Sequence, residues 1–152
     1  MRIIGRLEDE HRASLVTHGV AFTSASGLSD AAMRDEYAKC DMLVFASTAE
    51  GFGMPILEAQ AVGRPVVTSQ VSSMPEVAGD AAELVDPFDI ASIRAGVRRV
   101  IEDARHREAL VARGFENVRR FSPQAIAAQY AALYREVAEV NHPARTGSTL
   151  TP

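Results

Sequence analysis

A chain of 152 residues, 47% hydrophobic and 24% charged, is long enough and apolar enough for one core of ordinary domain size. A formal net charge of -4 with no run of lysine or arginine weighs against nucleic acid or an acidic membrane surface as the main partner. The single cysteine, Cys40, excludes an internal disulfide, no N-terminal stretch has the form of a signal peptide, and no window approaches the about 20 apolar residues that span a bilayer, so the sequence reads as a cytoplasmic protein whose membrane contact would be peripheral, at the inner membrane face.

Short apolar runs bounded by turn signals alternate with segments of helical period, the pattern of a parallel sheet covered by helices on both faces. In chain order, strands are expected at Arg2 to Ile4, Val20 to Phe22, Met42 to Ala46, Pro65 to Thr68 and Glu83 to Val85. The run Met42 to Ala46 is apolar throughout, as a strand covered on both faces should be. Between them, helices are expected from Asp9 to His18, from Ser29, a candidate N-cap, to Lys39, and from Pro55 to Val62, closed by Gly63. Met33 and Tyr37 share a face of the second of these.

After Val85 the pattern is purely helical. Ile90, Ile93, Val97, Val100 and Ile101 form one apolar stripe, and Leu110, Val111, Phe115 and Val118 a weaker one. A last helix starts at Ser122-Pro123 and carries Ile126, Tyr130, Leu133, Tyr134 and Val137 on one side. Residues 1–140 therefore form one α/β domain, a Rossmann-like parallel sheet with C-terminal helices, and 141–152 read as a disordered tail with little to bury.

The segment that carries chemistry runs from Ser47 to Gly63: a strand end, the loop Glu50-Gly51-Phe52-Gly53-Met54, and a helix opening at Pro55. In an open parallel sheet, ligands bind at the carboxyl ends of the strands, where a starting helix presents unpaired N–H groups and a positive dipole end to an anion. Gly51 and Gly53 let the backbone approach a ligand, and Pro55 suits a first helical turn. Glu50 and Glu58 flank this turn. A carboxylate repels phosphate but accepts two hydrogen bonds at once, which matches the vicinal hydroxyls of ribose or hexose. Spacing alone leaves the alternative open that Glu58 only sits well in a helix start, that Glu50 is a loop carboxylate in water, and that the glycines only shape the turn.

The run Glu50-Gly51-Phe52-Gly53-Met54-Pro55-Ile56-Leu57-Glu58-Ala59 resembles the donor-site motif of glycosyltransferase family 4, the group 1 glycosyltransferases. Ala38-Lys39-Cys40-Asp41 before it, Gly63-Arg64-Pro65-Val66-Val67 after it, then Pro75 to Ala81, Val85-Asp86-Pro87 and Phe121-Ser122, are similar to further blocks of that family in the same order. The resemblance implies the C-terminal, donor-binding half of a GT-B fold acting as a retaining glycosyltransferase with a UDP-, GDP- or other nucleoside diphosphate sugar as donor. No metal or other cofactor is expected. By the same resemblance Glu58 holds ribose hydroxyls, and Glu50, the candidate catalytic residue, contacts hydroxyls of the transferred sugar. The amides of Phe52, Gly53 and Met54 hold sugar and diphosphate; Met54 stands where leucine is commoner, a volume-conserving difference.

The resemblance also implies absences. Relatives carry an additional first strand and helix with an arginine and a lysine that neutralise the diphosphate, and this chain begins after them; Arg6 does not align with that pair. The first strand of relatives lies at the centre of the sheet, so unpaired edges are expected here, as is the absence of the half that binds a glycan or lipid-linked acceptor. A fragment of this kind is expected to be inactive alone. Alternatives are a non-catalytic nucleotide-sugar-binding module, a subunit of a split enzyme, and an epimerase or phosphorylase on the same fold.

Among other candidates, His11 and His18 read as surface residues and Cys40 as a small buried one. Asp86-Pro87-Phe88-Asp89 reads as a turn followed by an N-cap, and Glu76 as a local cap or a secondary ligand contact in a loop after a strand. Loop 24–29 reads either as a lining for the base or as a plain connection, and Ser47 and Thr48 either as phosphate contacts or as backbone partners at a strand end.

Overall fold

The computed structural model describes residues 1–141. Five strands and seven helices alternate in the described residues: β1 (Arg2–Ile4), α1 (Asp9–Thr17), β2 (Thr23–Ala25), α2 (Asp30–Lys39), β3 (Leu43–Phe45), α3 (Met54–Ala61), β4 (Val66–Ser69), α4 (Met74–Ala78), β5 (Glu83–Val85), α5 (Ile90–Glu102), α6 (Ala104–Arg119) and α7 (Pro123–Asn141). All strand pairing is parallel, which fixes the α/β class expected from the sequence. The tail expected at 141–152 lies outside the described residues except for Asn141, which ends α7.

The strands form two sheets, β1-β2 and β3-β4-β5. The central strand β4 is buried along its whole length, with Val66 and Val67 on opposite faces. On the Val66 side pack Tyr37 of α2, Ile56, Leu57 and Ala59 of α3, and Met74, Val77 and Ala78 of α4. On the Val67 side pack Val85, Val100 of α5 and Leu110 of α6, with Ile93 and Val97 partly buried against them. Of the first helical stripe, Ile90 and Ile101 stay exposed.

Four expectations are corrected. The second strand is Thr23–Ala25 rather than Val20 to Phe22, because α1 ends in a Schellman motif that uses Val20: Gly19, at φ 65°, donates to Val16 O and Val20 N–H donates to Leu15 O at 2.9 Å. Gly63 closes α3 in the same way, with Arg64 N–H on Ala59 O at 2.9 Å, as the sequence suggested. β3 is not covered on both faces; Val44 is 46% exposed and lines a cleft between the two sheets. The residues after β4 form α4 rather than a loop, so Glu76 lies in a helical first turn. Finally, the buried line of α6 is Leu110, Gly114 and Asn117, not the stripe through Phe115.

That last difference has a polar cause. Asn117 Nδ2 donates to Gln60 Oε1 and to Val77 O, both at 2.8 Å, while Gln60 Nε2 donates to Ala81 O at 3.1 Å. This buried network joins α3, α4 and α6, and Gly114 lets α6 lie against Gln60, where a Cβ would stand 3.1 Å from Gln60 Cγ. A hydrophobic-period search passes over such a face because its members are asparagine, glutamine and glycine.

The edges of β1 and β3 both line one cleft of about 2000 Å³. Its wall also includes Val100, Ile101, Val111 and Phe115 from α5 and α6. Among the described residues β1 pairs only with β2 and β3 only with β4. No described helix is long and apolar enough to cross a membrane.

Candidate functional site

β3 stops at Phe45 and α3 starts at Met54, so the loop between them lies at the carboxyl end of the three-stranded sheet. Hydroxyls from the end of β4 hold it there. Thr68 Oγ1 donates to Phe45 O at 2.9 Å, and Ser69 Oγ donates to Ser47 O. Ser47 thus contributes its backbone, not its hydroxyl, to this tie.

The next two serines clamp the glycine loop. Ser72 Oγ donates to Glu50 O at 3.0 Å and accepts from Glu50 N–H at 3.3 Å; Ser73 Oγ contacts Phe52 O at 2.8 Å and Glu50 O at 3.1 Å as donor. Ser72 holds φ 58°, a left-handed conformation that costs a serine about 1 kcal/mol or more. That strain is offset by the two bonds it makes possible. Sequence reasoning missed both serines. Ser73-Met74-Pro75 has the form of a helix start and would have revealed α4, yet the Ser73 side chain makes no cap bond and spends its hydroxyl on the loop.

Gly53 is the N-cap of α3 at φ 108°, ψ 40°, in a region that L side chains rarely adopt, and it is buried. Gly51, by contrast, is exposed, and a Cβ there would meet nothing within 4 Å, so no neighbour in the protein demands a glycine at that position. Pro55 stands in the first turn as expected. Ile56 N–H turns back to Gly53 O at 3.0 Å, whereas the amides of Phe52, Gly53 and Met54 donate to no acceptor among the described residues. These are donors available to an anion. Phe52 is fixed edge-on against Phe121 at a centroid separation of 5.7 Å, and the guanidinium of Arg120 lies 5.2 Å over the Phe121 ring.

The two glutamates differ. Glu50 is half-buried; its backbone is clamped by the serines, and its carboxylate has no hydrogen-bond or ion-pair partner among the described residues. Glu58, on the second turn of α3, accepts a 2.9 Å hydrogen bond on Oε2 from the hydroxyl of Tyr37. Burial, followed by the Glu58 hydrogen bond and charge, pushes the Tyr37 phenol well above its ordinary pKa, so it remains a donor. The sequence marked Tyr37 only as a helix-face residue; no local signal ties it to a carboxylate 21 positions away.

Other predicted residues fall elsewhere. Arg6 makes an exposed pair with Glu8 at 3.4 Å. Cys40 caps α2 partly buried, its thiol donating to Tyr37 O at 3.3 Å and pushed up by burial. Asp86 and Asp89 act as the turn and the N-cap expected of them, accepting from Phe88 N–H at 2.9 Å and Ala91 N–H at 2.8 Å.

A glycine loop and free helix-end amides at the carboxyl ends of parallel strands, bordered by carboxylates, make a candidate anion site on an α/β domain. The profile of the glycosyl transferases group 1 matches residues 2–117, and the chain belongs to that family. It is 45% identical over 86 residues to O-antigen chain mannosyltransferase B of Escherichia coli, covering 57% of this chain and 23% of that protein. It is 35% identical over 117 residues to MMP alpha-(1->4)-mannosyltransferase of Mycolicibacterium hassiacum, covering 74% and 28%. The chain thus spans about a quarter of the length of these curated relatives. The solved structure of Anabaena HepE in complex with UDP and glucose superposes with a TM-score of 0.77 at 20% identity, over 89% of this chain and 40% of that one, which shows the shared fold.

Proposed function

We propose that this chain is the donor-binding part of a retaining glycosyltransferase that uses a nucleoside diphosphate sugar. The observation that carries the reading is the α3 turn: three amides without acceptors beside two glutamates, one clamped through its backbone and one held by Tyr37. Glu58 takes the ribose hydroxyls, Glu50 the hydroxyls of the transferred sugar, and the amides of Phe52, Gly53 and Met54 the sugar and diphosphate, with Gly51 leaving room for the donor and Pro55 opening the helix beside it. In transfer, the bond between the anomeric carbon and the diphosphate oxygen breaks and a bond to an acceptor hydroxyl forms on the same face. Negative charge grows on the departing diphosphate, and fixed amides at a helix N-terminus stabilise it without reorganising. The names of two relatives make mannose the sugar to try first. In this reading the reaction is cytoplasmic, and a glycan or lipid-linked acceptor is bound by a further domain.

Titration calorimetry of the chain with UDP, GDP and their sugars tests this. The expected result is saturable binding that Glu58→Ala weakens about tenfold or more, as loss of charge-assisted bonds to a diol would. Binding indifferent to Glu58→Ala contradicts the assignment.

A second reading is favoured by the cleft between β1 and β3, whose edges each pair on one side only. In it the chain is a nucleotide-sugar-binding module, or a subunit of a split enzyme, that turns over only once a strand from another polypeptide joins the two sheets. Sugar transfer by the chain alone would rule this reading out.

A further inference from the structure

We infer that Tyr37 is the positioning residue for Glu58, setting the carboxylate that discriminates ribose from deoxyribose; the inference rests on the donor-site reading above. The geometry comes from how α2 is anchored. Its last turn is fixed to the segment after α3 by one side chain: Arg64 Nε donates to Tyr37 O at 3.0 Å and Arg64 Nη2 to Ala38 O at 2.6 Å. The Arg64 amide is itself bound to Ala59 O, so one residue ties the end of α2 to the end of α3. From that anchor the Tyr37 ring is 5% exposed in the core beside Ile56, Leu57, Ala59 and Val66, and its hydroxyl reaches Glu58 Oε2.

The chemistry follows from counting lone pairs. An ionised carboxylate offers about four acceptor positions, and a vicinal diol needs two. One hydrogen bond from a buried phenol, whose pKa burial raises, takes one position on Oε2 and restrains the side-chain torsions of Glu58, which as a free glutamate would cost entropy to order on each binding event. Oε1 and the rest of Oε2 remain for hydroxyls, because Glu58 has no further partner among the described residues. Tyr37 need not touch the ligand; it acts through Glu58.

The test compares UDP and GDP with their 2′-deoxy counterparts in titrations of the whole chain. Wild type should prefer the ribonucleotide by about tenfold, the worth of a hydrogen bond to a charged group. Tyr37→Phe keeps the ring in the core and removes only the hydroxyl. It should weaken UDP or GDP several-fold, leave the deoxynucleotide nearly unchanged, and so shrink the ratio towards one. Val66→Ala, which loosens the same core and leaves the hydroxyl in place, should lower the unfolding midpoint and keep the ratio.

If Tyr37→Phe leaves the ratio intact while Glu58→Ala abolishes it, the inference fails and the donor site stands. If Glu58→Ala also leaves the ratio intact, or wild type binds neither nucleotide, the donor-site reading fails and takes the inference with it. Should Tyr37→Phe not fold, wild type labelled with 3-fluorotyrosine at its three tyrosines provides a second readout. The Tyr37 fluorine resonance should shift with UDP or GDP and much less with the deoxynucleotide; equal shifts overturn the proposal.

Discussion

The two-stranded and three-stranded sheets are built from the same parallel strand-helix-strand unit, yet their interiors differ completely. Around β4 both faces are covered, and the buried side chains run from Tyr37 to Asn117; β1, α1 and β2 contribute none. The first sheet is held by its own ladder, by the Met1 amino group on Ala21 O at 2.7 Å, and by an exposed Arg2–Glu36 ion pair at 2.7 Å. Secondary structure and order of elements are therefore insufficient for stability; a strand pair gains an interior only when something lies against its free edge and face. The candidate site stands on the well-packed side, which is where a preorganised site belongs.

The largest expected effect follows directly. Amides of Ile3, Ile4, Ser24 and Ala25 should exchange with solvent at least ~100-fold faster than those of Val67 and Thr68, and denaturation followed by both sets should give two transitions. One coincident transition breaks the comparison. Within the packed sheet, Gly96→Val should lower stability by about 3 kcal/mol in urea titration, since even a Cβ at Gly96 collides with Val85 Cγ1. Asn117→Ala should cost about 2 kcal/mol by the same method, because Gln60 Oε1 and Val77 O lose their buried donor. Neither variant should change the exchange of β1 and β2.

The smallest effect is electrostatic and confined to the first sheet. The hydrogen bond from Arg2 holds the Glu36 carboxyl below its ordinary pKa. A lowered folded-state pKa means that the pair's contribution is present above the unfolded value and is lost as pH falls through the folded one. Glu36→Gln should remove that acid sensitivity from the amide chemical shifts of β1 and leave those of β4 untouched. An unchanged pH profile would sharpen the comparison the other way, by showing that the ladder alone holds β1.

Much of the packed half was legible in the sequence because its signals are local: Gly63 after an apolar helix, Asp89 and Ser29 as caps, and the strand expected at Pro65 to Thr68. Ser29 Oγ does accept from Ala32 N–H at 3.3 Å, and Ser122 Oγ from Ala125 N–H at 3.2 Å. What stayed hidden was non-local or polar. Val20 read as a strand residue because hydrophobicity does not announce a Schellman cap; Asn117 and Gln60 break no periodic rule yet form the joint of three helices. The loop of the candidate site was legible as a motif, but its clamps, Ser72, Ser73 and Tyr37, come from segments that no spacing rule connects to it.

In the proposed reading the ligand sits on the α3 turn and not in the cleft between the sheets. Hydrogen exchange of the chain with and without saturating UDP or GDP tests it most directly. Protection confined to residues 50–58 and to the serine clamp at 72–73 is the predicted result. Protection of β1 and β3 instead, with the α3 turn unchanged, would contradict it.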